Sequence, residues 1–164
     1  TPAGTVVGVT AELYDKAAGA SSAEDLVERL GGRIGTGIMR WTVAPTPMEP
    51  LGTWVPADDP SVPEWLHPFG GDVLIERDDD GAYMAGVGLK RHDDNVWEIS
   101  VGTEEAARGK GLARRLVVTA AQSVIDAGRT PTYLHDPSNH ASAKVAEASG
   151  FVERGWRILF HSPS

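Results

Sequence analysis

The run from Trp97 to Ala127 constrains this chain more than any other segment. Residues Trp97 to Thr103 read as a strand, the turn Arg108-Gly109-Lys110-Gly111-Leu112-Ala113 follows, and then a strongly periodic segment begins. Leu112, Leu116, Val117, Ala120, Ala121 and Val124 recur at helical spacing, which predicts a helix over Gly111 to Ala127, ended by Gly128. A helix with one long apolar stripe must bury it, and the strands around it supply a sheet to bury it on.

Those strands can be read on both sides. Asp72 to Glu76 starts a hairpin that turns at Asp78-Asp79-Asp80-Gly81 and returns over Tyr83 to Leu89. Asp93-Asp94-Asn95 marks the next turn. Pro131 to His135 reads as a short strand, and Asn139 caps a helix over 140–149 closed by Gly150. Val152 to Arg154 and Arg157 to Phe160 read as two short strands. Near the start, Ser21-Ser22 caps a short helix carrying Leu26, Val27 and Leu30, stopped by Gly31-Gly32, and Ile38 to Val43 reads as a strand. Residues 44–71 hold seven of the eleven prolines together with Trp54, Trp65, His67 and Phe69, a long loop of the kind that borders sites. The fold class is therefore α/β (α+β), a mixed and mostly antiparallel central sheet flanked by helices. Residues 1–71 form an N-terminal helix, strand and Trp/Pro-rich segment of the same domain, and 72–164 its core.

Composition narrows the chemistry. At 164 residues the chain fits one domain, and with no Cys it has no disulfide, thiolate metal site or cysteine nucleophile. The five His are dispersed, so no metal is expected. Residues 1–100 carry a net charge of −10 and residues 101–164 carry +2, a poor balance for duplex nucleic acid. The split suits an anionic ligand on the C-terminal part and a cationic one on the acidic part. No window approaches a membrane span, and Thr1-Pro2 begins no basic-then-apolar leader, so a cytoplasmic protein without membrane contact is expected.

The turn at 108–113 suits a pyrophosphate. Small residues let backbone N–H groups approach a ligand, the helix N-terminus is partially positive, and Arg108, Lys110 and Arg114 add full charges. A Walker loop needs Gly-Lys-Ser/Thr, but Lys110 precedes Gly111; a dinucleotide fingerprint needs a third Gly where Arg114 stands. A glycine turn with basic surface residues and an unrelated phosphate-binding α/β module both fit this segment taken alone.

Two blocks together resemble the GNAT N-acetyltransferase superfamily. Arg108, Gly111 and Ala113 match its coenzyme loop, Arg/Gln-x-x-Gly-x-Gly/Ala, after a strand carrying Val101 and Thr103. Asn139, Ser142 and the pair Gly150-Phe151 match its second block in register. The resemblance spans roughly residues 72–160. It implies acetyl-CoA as co-substrate and two neighbouring strands that splay at their C-terminal ends around the pantetheine arm. Ile99, Val101 and Thr103 would bond that arm, residues Arg108, Gly109, Lys110, Gly111, Leu112, Ala113 and Arg114 would hold the pyrophosphate, and Asn139 and Ser142 would meet the coenzyme. It further implies direct attack by a primary amine, of a small molecule or peptide, on the thioester in a ternary complex. An acyl-CoA-binding sensor or interaction domain without turnover is the alternative. Such folds often pair, which leaves room for a homodimer.

Direct attack needs a base. Glu98 on the motif strand is the first candidate, although alternation from Trp97 sends it to the other face of the sheet unless a bulge intervenes. His135, at the end of the facing strand, is the second, and His67 in the loop is a third. Many relatives carry a Tyr four residues before Gly-Phe as general acid; here that position is Ala146, and Tyr133 is not in register with it.

Overall fold

The computed structural model describes residues 11–162. Among them, seven strands form one sheet: β1 (Arg33–Trp41), β2 (Thr53–Pro56), β3 (Asp72–Arg77), β4 (Tyr83–Arg91), β5 (Val96–Thr103), β6 (Thr130–His135) and β7 (Glu153–Ser162). Their order is β2-β3-β4-β5-β6-β1-β7. Neighbours are antiparallel except β5 and β6, which run parallel. The helices are α1 (Tyr14–Ala17), α2 (Ala23–Leu30), α3 (Leu112–Asp126) and α4 (His140–Ala148). The mixed, mostly antiparallel sheet flanked by helices is the architecture expected from the pattern of elements.

The sheet buries both faces, and strand alternation sorts the residues. On one face, Leu116, Val117, Ala120, Ala121 and Val124 of α3 pack on Leu74, Val87, Leu89, Ile99 and Tyr133. On the other, Leu66 and Val62 cover Val73 and Ile75. Leu66 belongs to a 3-10 segment, Glu64–Phe69, and glycines in the strands let this segment sit close. A Cβ on Gly88 would run into the Phe69 ring, and one on Gly102 would lie 2.8 Å from Cζ2 of Trp65.

Both long helices end in the same way. Arg129 N–H donates to Val124 O and Gly128 N–H to Ile125 O; Phe151 N–H donates to Ala146 O and Gly150 N–H to Glu147 O. Each glycine thus lets the chain close the last carbonyls and leave the helix at once. At Gly150, φ is 90° and a Cβ would meet Thr46 N at 2.9 Å, so no side chain fits. Phe151, the residue after it, is fully buried beside Tyr133 at a ring-centroid distance of 5.7 Å. The Gly-Phe pair is therefore a helix stop with an apolar plug.

Four sequence expectations change. The strand expected at Ile38 to Val43 runs from Arg33 to Trp41 and lies between β6 and β7. The two short strands expected after Val152 are one ten-residue edge strand, β7. The Trp/Pro-rich loop of residues 44–71 contains β2 and the 3-10 segment. The parallel strand begins at Thr130, before Pro131. The first change follows from pairing over long sequence distance: β1 meets β6 through Ile38↔His135 to Trp41↔Thr132 and β7 through Arg33↔Ser162 to Arg40↔Glu153.

Candidate active site

The parallel pair β5–β6 is short. Its register runs from Val96↔Thr130 to Ile99↔Tyr133 and stops. Beyond that point β5 stays with β4 as far as Ala85↔Thr103, while β6 stays with β1 as far as Ile38↔His135. The strands therefore diverge past Ile99 and Tyr133. A cleft of about 810 Å³ opens there, within the range of small-molecule sites.

Its walls come from three local structures. The end of β5 supplies Val101, Gly102 and Thr103; the turn and first residues of α3 supply Arg108, Gly109 and Gly111 to Arg114; α4 supplies Asn139 and Ser142. Gly111 is the N-cap of α3 at φ 76°, a left-handed conformation in which a Cβ is strained, and no side chain caps the helix. The first-turn N–H groups consequently point out of the helix without intrahelical partners. The first turn carries no acid, and Arg108 and Arg114 flank it. An anion placed here meets N–H donors, the helix dipole and two guanidinium groups together.

The proline-rich segment borders this end of the cleft. Arg114 Nε donates to Met48 Sδ at 3.2 Å, and Arg115 Nη2 donates to the Pro50 carbonyl at 3.3 Å. A shallower hollow of about 490 Å³ adjoins, lined by Met48, Glu49, Gly111, Arg114 and Arg115. At the other end, Asn139 Oδ1 accepts from the Ser142 N–H at 3.0 Å and caps α4, which leaves the Asn139 amide nitrogen outside the cap.

The structure brings together Val101, Thr103, Arg108, Gly109, Gly111, Leu112, Ala113, Arg114, Asn139 and Ser142 around one cleft. Two expected residues lie apart from its lining. Ile99 is 2% exposed and its backbone sits in ladders with both Leu89 and Tyr133. Lys110 is exposed on the outside of the turn. Sequence reasoning missed Tyr133, whose ring is buried but which lines the cleft. Its hydroxyl lies 2.9 Å from Ser142 Oγ, and burial pushes its pKa above the ordinary phenol value, opposed by the Ser142 bond. The available signal was register: Tyr133 is the partner of Ile99 at the last parallel pair.

The candidate bases also lie outside the cleft lining. The β4–β5 register is continuous, so no bulge intervenes and Glu98 alternates to the face away from α3. Its carboxylate accepts from Lys90 Nζ at 2.8 Å and lies 3.1 Å from His92 Nε2. His135 is buried; Arg40 Nε donates to its Nε2 at 3.1 Å, and its Nδ1–H donates to the Asp136 carbonyl at 2.9 Å. Both ring nitrogens are thus engaged, and the lone pair a base would use faces a guanidinium. His67 Nε2 is bonded to the Val62 carbonyl at 2.9 Å. Among the described residues no group of His, Cys, Asp and Glu is placed to hold a metal ion, and no helix is long and apolar enough to cross a membrane.

The comparisons agree with this geometry. The sequence profile of the acetyltransferase (GNAT) family matches residues 36–151, and the chain belongs to that family. A GNAT-family protein of Novosphingobium aromaticivorans has a similar structure, with a TM-score of 0.64 at 23% identity, covering 79% of this chain and 66% of its own. One from Colwellia psychrerythraea has a TM-score of 0.64 at 15% identity, covering 83% and 59%. A GCN5-related N-acetyltransferase-like protein of Streptococcus suis has a TM-score of 0.56 at 18% identity, covering 85% and 67%. The chain thus spans less than two thirds of the length of the first two. No curated protein matches it.

Proposed function

We propose that this protein transfers an acetyl group from acetyl-CoA to a primary amine by direct attack in a ternary complex. The observation that carries the reading is the cleft between diverging β5 and β6 that ends on an uncapped, cationic helix start. The N–H groups after Gly111, with Arg108 and Arg114, would hold the coenzyme's pyrophosphate. The strand ends at Val101 and Thr103 and the amide of Asn139 would bond its pantetheine arm. The absence of Cys suits a route without an acyl-enzyme.

The acceptor's amine must lose a proton. An alkyl amine with a pKa of about 10.4 is neutral in roughly one molecule in 2,500 at pH 7, a cost of about 4.6 kcal/mol that a base has to offset. Glu98 is the carboxylate we assign to that role: it lies one residue before the point of divergence, on the face opposite α3, and must exchange its contacts with Lys90 and His92 for the amine. The same face carries Trp65 over Gly102, 39% exposed, beside the cleft-lining end of β5. A partly exposed aromatic wall in a chain whose first hundred residues are net acidic suits a cationic small molecule or peptide N-terminus. The thioester carbonyl would take its hydrogen bond from backbone N–H near Val101.

A coenzyme-binding domain without turnover is the second reading, favoured by Ala146 in the position of the relatives' Tyr and by the engaged nitrogens of His135. An amine panel assayed for released CoA thiol separates the two, with no protein thiol to interfere. Turnover with one amine class is expected; tight binding of acetyl-CoA with no turnover across the panel would select the second reading. Arg108→Glu, followed by calorimetry, is expected to weaken acetyl-CoA binding tenfold or more. Unchanged affinity removes the pyrophosphate assignment.

A further inference from the structure

Tyr133 stands at the one place in the cleft where both strands are still in contact. It is the partner of Ile99 in the last parallel pair, so its side chain marks the inner end of the opening. The ring is held by packing on Phe151 at 5.7 Å and against His135 at 6.4 Å, which fixes where the hydroxyl points. Tyr133 lines the cleft, and its hydroxyl shares a hydrogen bond with the Oγ of Ser142, another lining residue, at 2.9 Å. Ser142 is half-buried in the first turn of α4, so a proton can pass from the cleft mouth to the buried phenol through one hydroxyl.

We propose that Tyr133, coupled to Ser142, is the residue that donates the proton to the departing thiolate of the coenzyme. The proposal rests on the acetyl-transfer reading and assigns a role that the motif position, Ala146, cannot fill. Ala146 is fully buried beneath Phe151 and lies outside the cleft lining. Among the described residues lining the cleft, Arg108 and Arg114 do not release protons in this range, Asn139 is a neutral amide, and Thr103 and Ser142 are aliphatic hydroxyls, far weaker acids than a phenol. A phenol is protonated at neutral pH in any case, and burial pushes the Tyr133 pKa further up, so the donor form is the resting one.

The step balances. The amine nitrogen's lone pair forms the C–N bond at the thioester carbon, and the C–S bond breaks with its electron pair on sulfur. The Tyr133 Oη–H proton moves to that sulfur and gives the free thiol. Ser142 relays a solvent proton to the phenolate: its Oγ–H moves to Tyr133 Oη as Oγ accepts a proton from water at the cleft mouth, so that neither hydroxyl is left as an alkoxide. The amine's surplus proton leaves to the base on the acceptor side.

Two measurements on the full chain test this, one of them independent of turnover. By calorimetry at pH 9, above the ordinary thiol pKa of about 8.5, the wild-type protein is expected to bind CoA several-fold more tightly than desulfo-CoA. Tyr133→Phe, which keeps the packed ring, is expected to bind the two equally. In turnover, Tyr133→Phe is expected to lower kcat about a hundredfold with KM for acetyl-CoA changed less than threefold. Ser142→Ala is expected to lower kcat about tenfold, with recovery in Ser142→Thr. Equal binding of the two ligands by wild type, or a kcat for Tyr133→Phe within threefold of wild type, overturns the proposal while leaving acetyl transfer intact. A wild-type protein that acetylates no amine overturns the acetyl-transfer reading itself, and the donor role with it.

Discussion

The guanidinium of Arg40 donates from Nε to Nε2 of His135 at 3.1 Å, across 95 residues of sequence. The bond decides what this histidine can do. Arg40 also donates from Nη1 to the Phe151 carbonyl at 3.2 Å and lies 3.6 Å from the Glu153 carboxylate, so it ties β1 to β6, to the α4 exit and to β7. The Arg157 hydrogen bond and the nearby charges hold the Glu153 carboxyl below its ordinary value, keeping it anionic opposite Arg40.

His135→Gln is accordingly expected to leave kcat within about threefold of wild type, since an amide can accept from Arg40 and donate to the Asp136 carbonyl. A pH–rate profile checks it: loss of a limb near the ordinary histidine pKa of about 6.5 would return the base role to the imidazole.

Arg40→Met removes the donor to a buried carbonyl. The expected cost is about 1–3 kcal/mol of stability, read by urea denaturation, because the Phe151 oxygen is left without a partner. A smaller loss would mean that water reaches that carbonyl.

Glu98→Gln separates catalysis from coenzyme binding. With Glu98 as base, kcat falls about a hundredfold or more, while acetyl-CoA affinity measured by calorimetry stays within threefold. Retention of rate and of the pH profile would move the role to water.

Gly111→Ala tests the turn. At φ 76° the new Cβ meets nothing within 4 Å, so the expected penalty is backbone strain of about 1–2 kcal/mol rather than a clash. Thermal unfolding and acetyl-CoA calorimetry should both register it; a change in neither would show that the turn accepts another conformation.

Tyr83→Phe carries a pH signature. The buried Tyr83 hydroxyl has no partner in good hydrogen-bond geometry among the described residues, and burial, opposed by the neighbouring Trp65 side chain, pushes its pKa from 10.0 up to about 12. The folded state therefore holds its proton after the unfolded chain has lost it. That contribution to stability is complete below pH 10 and disappears as the pH rises towards 12. The variant is expected to be as stable as wild type or more so at pH 7, and to lose less Tm between pH 9 and 11. Equal alkaline losses in the two proteins would place the sensitivity elsewhere.

Much of the site was legible because its determinants are local. The strand before Thr103, the glycine turn, the helix of α3 and the Asn139-to-Phe151 block are contiguous patterns whose spacing fixes their own geometry. Asn139 reads as a cap and is one; Gly128 and Gly150 read as helix stops and are. The acid–base groups were harder to place. The strand Trp97–Thr103 gave Glu98 its alternation, but only the unbroken register with β4 settled which face it takes. Tyr133 stood out of register with the motif and so drew no role, yet strand pairing carries it to the cleft lining.

The chain's periodicities and glycine positions determined the elements from Asp72 to Gly150 and the glycine turn before α3, because such signals act over a few residues; the two motif blocks carried the resemblance to the family. The tertiary structure alone decided that β1 enters between β6 and β7, that Arg40 occupies His135, and that Tyr133 meets Ser142. Those outcomes depend on which sheet edges, buried carbonyls and charges remain to be satisfied once the local elements have formed, and no short-range pattern encodes that remainder.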